Sequence, residues 1–287
     1  MGALTTLFDD SFRRRLEVLK RVVARALAGR GGGGRSPIAE RGGRIEFADH
    51  RAYAAGDDLR TIDWAVYARL EKLVVKEFEA PREAHLLLVV DRSRSMTVFD
   101  KDTAALRLAA ALGWLGLAAG ARVAVTSAAG ASRWVAAPER FPELLDTLER
   151  LPVTDTADFA KAVERSPAAA GGRRTAILIG DLYEPEPLAR ALAGLGRAQR
   201  VCVQTVAPEE LRAPQAAAVL VRDAESGDEQ ELFLDAATRE RFHAAASQFL
   251  ADREQLVQRH GARFARIAPS DDLVAAVEEV LLGRGAS

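Results

Sequence analysis

The stretch Ala84-His85-Leu86-Leu87-Leu88-Val89-Val90-Asp91-Arg92-Ser93-Arg94-Ser95-Met96 decides how this chain is read. Its first half is apolar without alternation, which marks a strand covered on both faces, as strands of a parallel sheet are. Its second half turns abruptly polar. Working outward, the same alternation continues to the C-terminus. A helical pattern around 101–119 leads to the strand Arg122-Val-Ala-Val-Thr126, and helical patterns near 138–149 and 157–165 lead to Thr175-Ala-Ile-Leu-Ile179. A helix over 187–195 precedes a strand at 200–206, short strands follow near 218–222 and 230–234, and a long helix covers roughly 236–260. Strand 263–267 and helix 271–282 close the chain. Apolar strands alternating with helices predict an α/β fold with a doubly wound, mainly parallel sheet.

Upstream, Lys72-Leu-Val-Val-Lys-Glu-Phe-Glu79 reads as a strand, joined through Ala80-Pro81-Arg82 to the 84–90 strand as a hairpin. Residues 40–80 otherwise mix charge with aromatics and suggest a structured loop tied by charged hydrogen bonds. Tyr53, Ile62 and Trp64 offer apolar anchors that could pin it to the domain. Residues 10–28 place Phe12, Leu16, Leu19, Val22, Val23, Ala26 and Leu27 on one helix face, with a basic opposite face. That helix would be solvated or would touch a membrane surface or acidic partner. Gly31-Gly-Gly-Gly34 lacks a following Gly-Lys-Ser/Thr and reads as a linker. The expected organisation is 1–39 as helix and linker, 40–80 as an extension with an edge strand, and 81–287 as the α/β domain.

Composition narrows the function classes. The chain has 287 residues, 40 Lys+Arg against 41 Asp+Glu, a net charge of −1 and one cysteine. That balance argues against a general nucleic-acid binder. A lone Cys202 in an apolar run excludes an internal disulfide framework or a multi-thiolate zinc site and suggests a buried core residue. No run of roughly 18 apolar residues offers a membrane span, and no secretory layout opens the chain, so a cytoplasmic protein is expected.

In open α/β sheets, ligands bind beyond the carboxyl ends of the strands. Two of those ends carry carboxylates: Asp91, followed by hydroxyls at Ser93 and Ser95, and Gly180-Asp181. Several hard oxygens on neighbouring loops suit Mg²⁺ or Mn²⁺. The plainer alternative is that Asp91 and its serines only cap the next helix.

The spacing Asp91-x-Ser93-x-Ser95-Met96 after an apolar strand resembles the metal-ion-dependent adhesion site of von Willebrand factor A-like domains. The resemblance implies that Asp91, Ser93 and Ser95 form a first metal loop and Asp181 a third. In the second loop, Ala157 stands where the family carries threonine, leaving Thr156 or Thr154 as substitutes; Thr156 is taken as the candidate ligand. The stretch Arg41-Gly-Gly-Arg-Ile-Glu-Phe47, Arg51-x-Tyr53, Gly56-Asp-Asp-x-Arg60-x-Ile-Asp-Trp64, Ala68-Arg69 and Lys76-x-Phe78-Glu79 is similar to the hallmark of bacterial proteins known as domain of unknown function 58. Such proteins are typically encoded beside a MoxR-type AAA+ ATPase and other A-domain proteins. The resemblance implies a non-enzymatic adaptor or chaperone-like partner of that ATPase, with a metal-bridged contact to a partner's Asp or Glu. Arg92 and Arg94 could favour an acidic partner at the rim, or be solvated loop arginines.

Two other classes remain open. A phosphotransferase would use Asp91 as nucleophile and Asp181 as metal ligand, but its +2 acid/base carboxylate is replaced by Ser93. A purely structural A-like scaffold would leave the metal site empty. No Gly-x-Ser-x-Gly or His-Glu-x-x-His pattern supports a hydrolase.

Overall fold

A computed structural model of the chain describes residues 46–54, 58, 62–70, 72–79, 84–169, 173–224 and 227–282. The proposed basic helix at 10–28, the glycine linker and parts of the 41–60 motif lie outside the described residues. Two compact units are distinguished among the described residues, one within 46–79 and the other within 84–282.

In the smaller unit, β1 (Glu46–Ala52) pairs antiparallel with β2 (Val74–Glu79), with a register shift between Phe47 and Asp49. Between them lies the short helix α1 (Trp64–Leu70), capped by Asp63, whose Oδ1 accepts from the Ala65 amide at 3.0 Å. Ile62 is buried and bridges Val75, whereas Trp64 is 59% exposed and meets Tyr67 edge to face. Trp64 therefore does not serve its own unit as a buried anchor.

The larger unit is built on five parallel strands: β3 (Ala84–Val90), β4 (Arg122–Thr126), β5 (Arg173–Gly180), β6 (Gln199–Thr205) and, near the C-terminus, β9 (Arg263–Ile267). Their order is β4-β3-β5-β6-β9. Helix α2 (Lys101–Ala118) follows β3, while α3 (Phe141–Arg150) and α4 (Phe159–Glu164) separate β4 from β5. Helix α5 (Pro185–Gly194) precedes β6. The hairpin β7 (Ala218–Arg222) and β8 (Glu229–Phe233) and the long helix α6 (Ala236–Arg259) precede β9; α7 (Leu273–Leu282) ends the described chain.

Successive residues of the central strands point to opposite faces. Leu86, Leu88, Val90, Ile177 and Ile179 pack with Leu108, Leu112, Leu144 and Val277 of α2, α3 and α7. Leu87, Val89, Ala176, Leu178 and Cys202 pack with Phe159, Leu188, Leu192 and Val257 of α4, α5 and α6. The expected doubly wound sheet is therefore present. Cys202 is fully buried, and burial pushes its thiol up to about 12. The exposed edge of β4 is partly covered by a return through residues 131–135, where Val123 and Val135 exchange backbone hydrogen bonds of 2.8 Å.

One expectation is overturned. The 74–79 strand does not form a hairpin with the 84–90 strand: β2 pairs with β1, and both edges of β3 are taken by parallel neighbours β4 and β5. A strand has only two edges, and the parallel partners take both edges of β3 while helices cover its two faces.

No helix among the described residues is long and apolar enough to cross a membrane.

Candidate metal centre

Numbered within the sheet, the strand order is 2-1-3-4-5, which places the topological switch point between β3 and β5. The two carboxylates singled out above leave the sheet at that point. Asp91 follows β3 and donates its backbone amide to the Ile179 carbonyl at 2.9 Å; Asp181 directly follows β5. The sequence pattern and the topology thus bring both acids, each buried, to the same switch point.

The first loop folds around its own carboxylate. Asp91 Oδ1 accepts from the Ser93 amide at 2.8 Å, and Ser93 returns its carbonyl to the Met96 amide at 3.1 Å. Met96 is completely buried and seats the loop on the core. The hydroxyls of Ser93 and Ser95 stand 3.0 Å apart, and Ser95 Oγ donates to Asp181 Oδ2 at 2.6 Å. Three of the predicted groups therefore form one contiguous run of oxygens, with Asp91 at the base of the same turn.

The second loop meets the first through the backbone of Thr154 rather than through Thr156. Thr154 bridges Ser93 in parallel, and its amide donates to the Arg92 carbonyl at 2.7 Å. Thr156 is exposed, and its carbonyl accepts the Thr154 hydroxyl at 3.0 Å. Ala157 is buried, and Asp158 caps α4 by accepting the Lys161 amide at 2.9 Å. The two rim arginines are already engaged: Arg92 reaches Asp102 at 3.0 Å and the Leu151 carbonyl at 3.2 Å, and Arg94 pairs with Asp155 at 2.9 Å. Arg92, mostly buried, ties the three segments together instead of projecting toward a partner.

Several observations fit a small divalent cation. Asp91 Oδ2 is buried and has no hydrogen-bond partner, an arrangement that costs free energy unless something compensates it. Burial, reinforced by the nearby Asp181 charge, pushes the Asp91 carboxyl up to about 7, against the opposing pull of the Ser93 hydrogen bonds and Lys101. A cation would reverse that logic and favour the carboxylate. Octahedral oxygens at the Mg²⁺ bonding distance stand about 2.9 Å apart, close to the Ser93–Ser95 and Ser95–Asp181 separations above. Asp91, Ser93, Ser95 and Asp181 offer hydroxyl and carboxylate oxygens only, with no imidazole or thiolate among them. The set suits a hard ion that keeps several waters.

Backbone strain concentrates in the same place. The non-glycine residues with positive φ among the described residues are Phe99 (56°), Asp100 (57°) and Leu182 (59°). The first two lie between the Ser95 turn and α2, and the third follows Asp181. Bulky side chains pay for this conformation, and such strain gathers at functional sites. At Leu182 it turns the chain so that the Tyr183 amide comes back to Asp181 Oδ1 at 3.3 Å.

Three residues not singled out in the sequence complete the surroundings. Lys101, at the first turn of α2 and fully buried, donates to Asp181 Oδ2 at 3.3 Å and to Glu210 Oε1 at 2.6 Å. Glu210 comes from the short 3-10 turn Pro208–Leu211 after β6 and also accepts from the Tyr183 hydroxyl at 2.6 Å and the Ala207 amide at 2.8 Å. Lys101 Nζ lies 4.8 Å from the Tyr183 ring centroid.

Comparison with known proteins adds kinship but no activity. An uncharacterized protein of Mycobacterium bovis, Mb1516, is 28% identical over 252 residues, covering 83% of this chain and 79% of its own length. The uncharacterized protein Rv1480 of Mycobacterium tuberculosis matches to the same extent. Among solved structures, an aerotolerance-related membrane protein from Bacteroides fragilis aligns with a TM-score of 0.43 at 15% identity, over 68% of this chain and 96% of that one. The conserved hypothetical protein BatB from Bacteroides thetaiotaomicron aligns at 0.41 and 14%, over 69% and 96%. Residues 49–251 match the family model described as protein of unknown function DUF58, and the chain belongs to that family.

Proposed function

We propose that this chain is a non-enzymatic interaction module that binds a carboxylate of a protein partner through a divalent Mg²⁺ or Mn²⁺ ion held at Asp91, Ser93, Ser95 and Asp181. The observation that carries the reading is the buried, unpartnered Asp91 Oδ2 at the sheet's switch point, beside the run of oxygens from Ser93 to Asp181. Asp91 and Asp181 would balance the ion's charge, Ser93 and Ser95 would orient it, and Thr154 would position the second loop against the first.

The rim favours protein contact. Each of the three loops carries a large, partly exposed apolar side chain: Phe99 after the first, Val153 in the second and Tyr183 after the third. Such groups supply the desolvating surface that an ion reluctant to shed water requires of its partner. The residue two positions after Asp91 weighs against a phosphotransferase. Ser93 stands where the acid/base carboxylate would be, and its hydroxyl cannot shuttle a proton near neutral pH.

The partner proposed is a MoxR-type AAA+ ATPase in the cytoplasm, on the strength of the family resemblance. The test is capture of that ATPase by the tagged full chain, with and without chelator. Recovery only with divalent ion supports the partner and the bridge. Recovery indifferent to chelator removes the bridge, and no recovery under either condition removes the partner.

A further inference from the structure

The chain holds 35 arginines and only 5 lysines, yet the fully buried cation beside the candidate metal centre is Lys101. Its position runs against local helix electrostatics. The N-terminal end of α2 carries the positive end of the helix dipole, which disfavours a cation. A buried ammonium also needs charged partners to be tolerated. It has two, and they are unequal: Glu210 Oε1 at 2.6 Å and Asp181 Oδ2 at 3.3 Å. Asp181 Oδ2 is also the atom that accepts from Ser95, so the ammonium and the run of metal-competent oxygens share one carboxylate oxygen.

Resting on the metal reading above, we propose that Lys101 is a resident cation of this site. Its ammonium shares Asp181 Oδ2 with any incoming divalent ion, and the ion enters by displacing it onto Glu210. Glu210 is prepared for that role. Its other oxygen is held by the Ala207 amide at 2.8 Å, and Tyr183 buttresses Oε1 at 2.6 Å. The ammonium can therefore release its longer contact without becoming an unpaired buried charge. Lys101 thus sets how tightly the ion is held: it compensates Asp181 when no ion is bound and must be outcompeted when one enters.

The test is Mn²⁺ titration of the full chain by calorimetry, with circular dichroism to verify folding. Lys101→Met is expected to bind Mn²⁺ at least about tenfold more tightly than the parent, equivalent to about 1.4 kcal/mol. Arg140→Met is the control for net charge alone. Its exposed guanidinium pairs with Glu143 in the first turn of α3, the end of that helix away from the second loop, so its removal should shift affinity by less than about threefold. Glu210→Gln removes the charged acceptor to which the ammonium withdraws and should weaken binding at least about tenfold, keeping the proposal testable if Lys101→Met does not fold. Parent-like affinity in Lys101→Met, or in Glu210→Gln, overturns the proposal while leaving the metal centre intact. No saturable binding in either the parent or Lys101→Met overturns the metal centre together with it.

Discussion

Asp181→Ala is expected to destabilise the ion-free protein by about 2–4 kcal/mol in chemical denaturation. Breaking a buried ion pair by removing one partner costs about 3–5 kcal/mol, because the remaining charge stays buried. Here Lys101 would retain Glu210, and Asp91 would be relieved of a like charge, which lowers the figure. Ser95 would also lose the acceptor of its 2.6 Å hydrogen bond. The distinguishing measurement is a double-mutant cycle with Lys101→Met. Replacing both partners of a buried pair by apolar groups is far less costly than replacing one, so the double variant should recover at least about 1 kcal/mol relative to the sum of the singles. Strict additivity would show that the two groups do not act as a pair.

Gly180→Ala should be the most damaging small substitution near the site. A Cβ there would lie 2.5 Å from Asp91 Cβ, 2.8 Å from Asp91 Oδ2 and 2.8 Å from Phe159 Cζ. None of these is the loose end of a surface chain. Asp91 is pinned by its amide to the Ile179 carbonyl, and Phe159 is buried in the core. Overpacking of this kind costs about 1–3 kcal/mol. The forced movement of Asp91 should also weaken Mn²⁺ binding by more than about tenfold. Gly194→Ala is the matched control: its Cβ would meet only Val163 Cγ1, at 3.8 Å, and the added methyl favours the helix. Thermal denaturation of the two variants should separate them clearly; equal melting temperatures would contradict the packing described at Gly180.

What was legible in the sequence, and what was not, has a physical pattern. Short apolar runs such as 86–90 and 176–179, too short for a helix and alternating with helical patterns, read as strands buried on both faces, so the doubly wound sheet followed from them. Asp91 and Asp181 were legible because each is the first polar side chain after such a run, where the sheet opens its ligand crevice. Pairing partners were less legible. A short Pro-containing connection between two strands looks like a hairpin, but periodicity does not reveal that both edges of β3 are claimed by parallel neighbours. Thr156 and Thr154 differ by one turn of loop, and no pattern in that loop distinguishes the residue that bridges Ser93. Lys101 and Glu210 come from a helix start and a 3-10 turn more than one hundred residues apart. The one local clue was a lysine in the first turn of an apolar helix, where the dipole disfavours it.

The most direct test of the account is titration of Mn²⁺ into the full-length, metal-free chain, in parallel with Ser93→Ala and Ser95→Ala. The account predicts saturable binding of one ion by the parent, weakened at least about tenfold in each variant while the fold is retained. Absence of saturable binding by the parent at millimolar ion, or equal affinity in all three proteins, would contradict it.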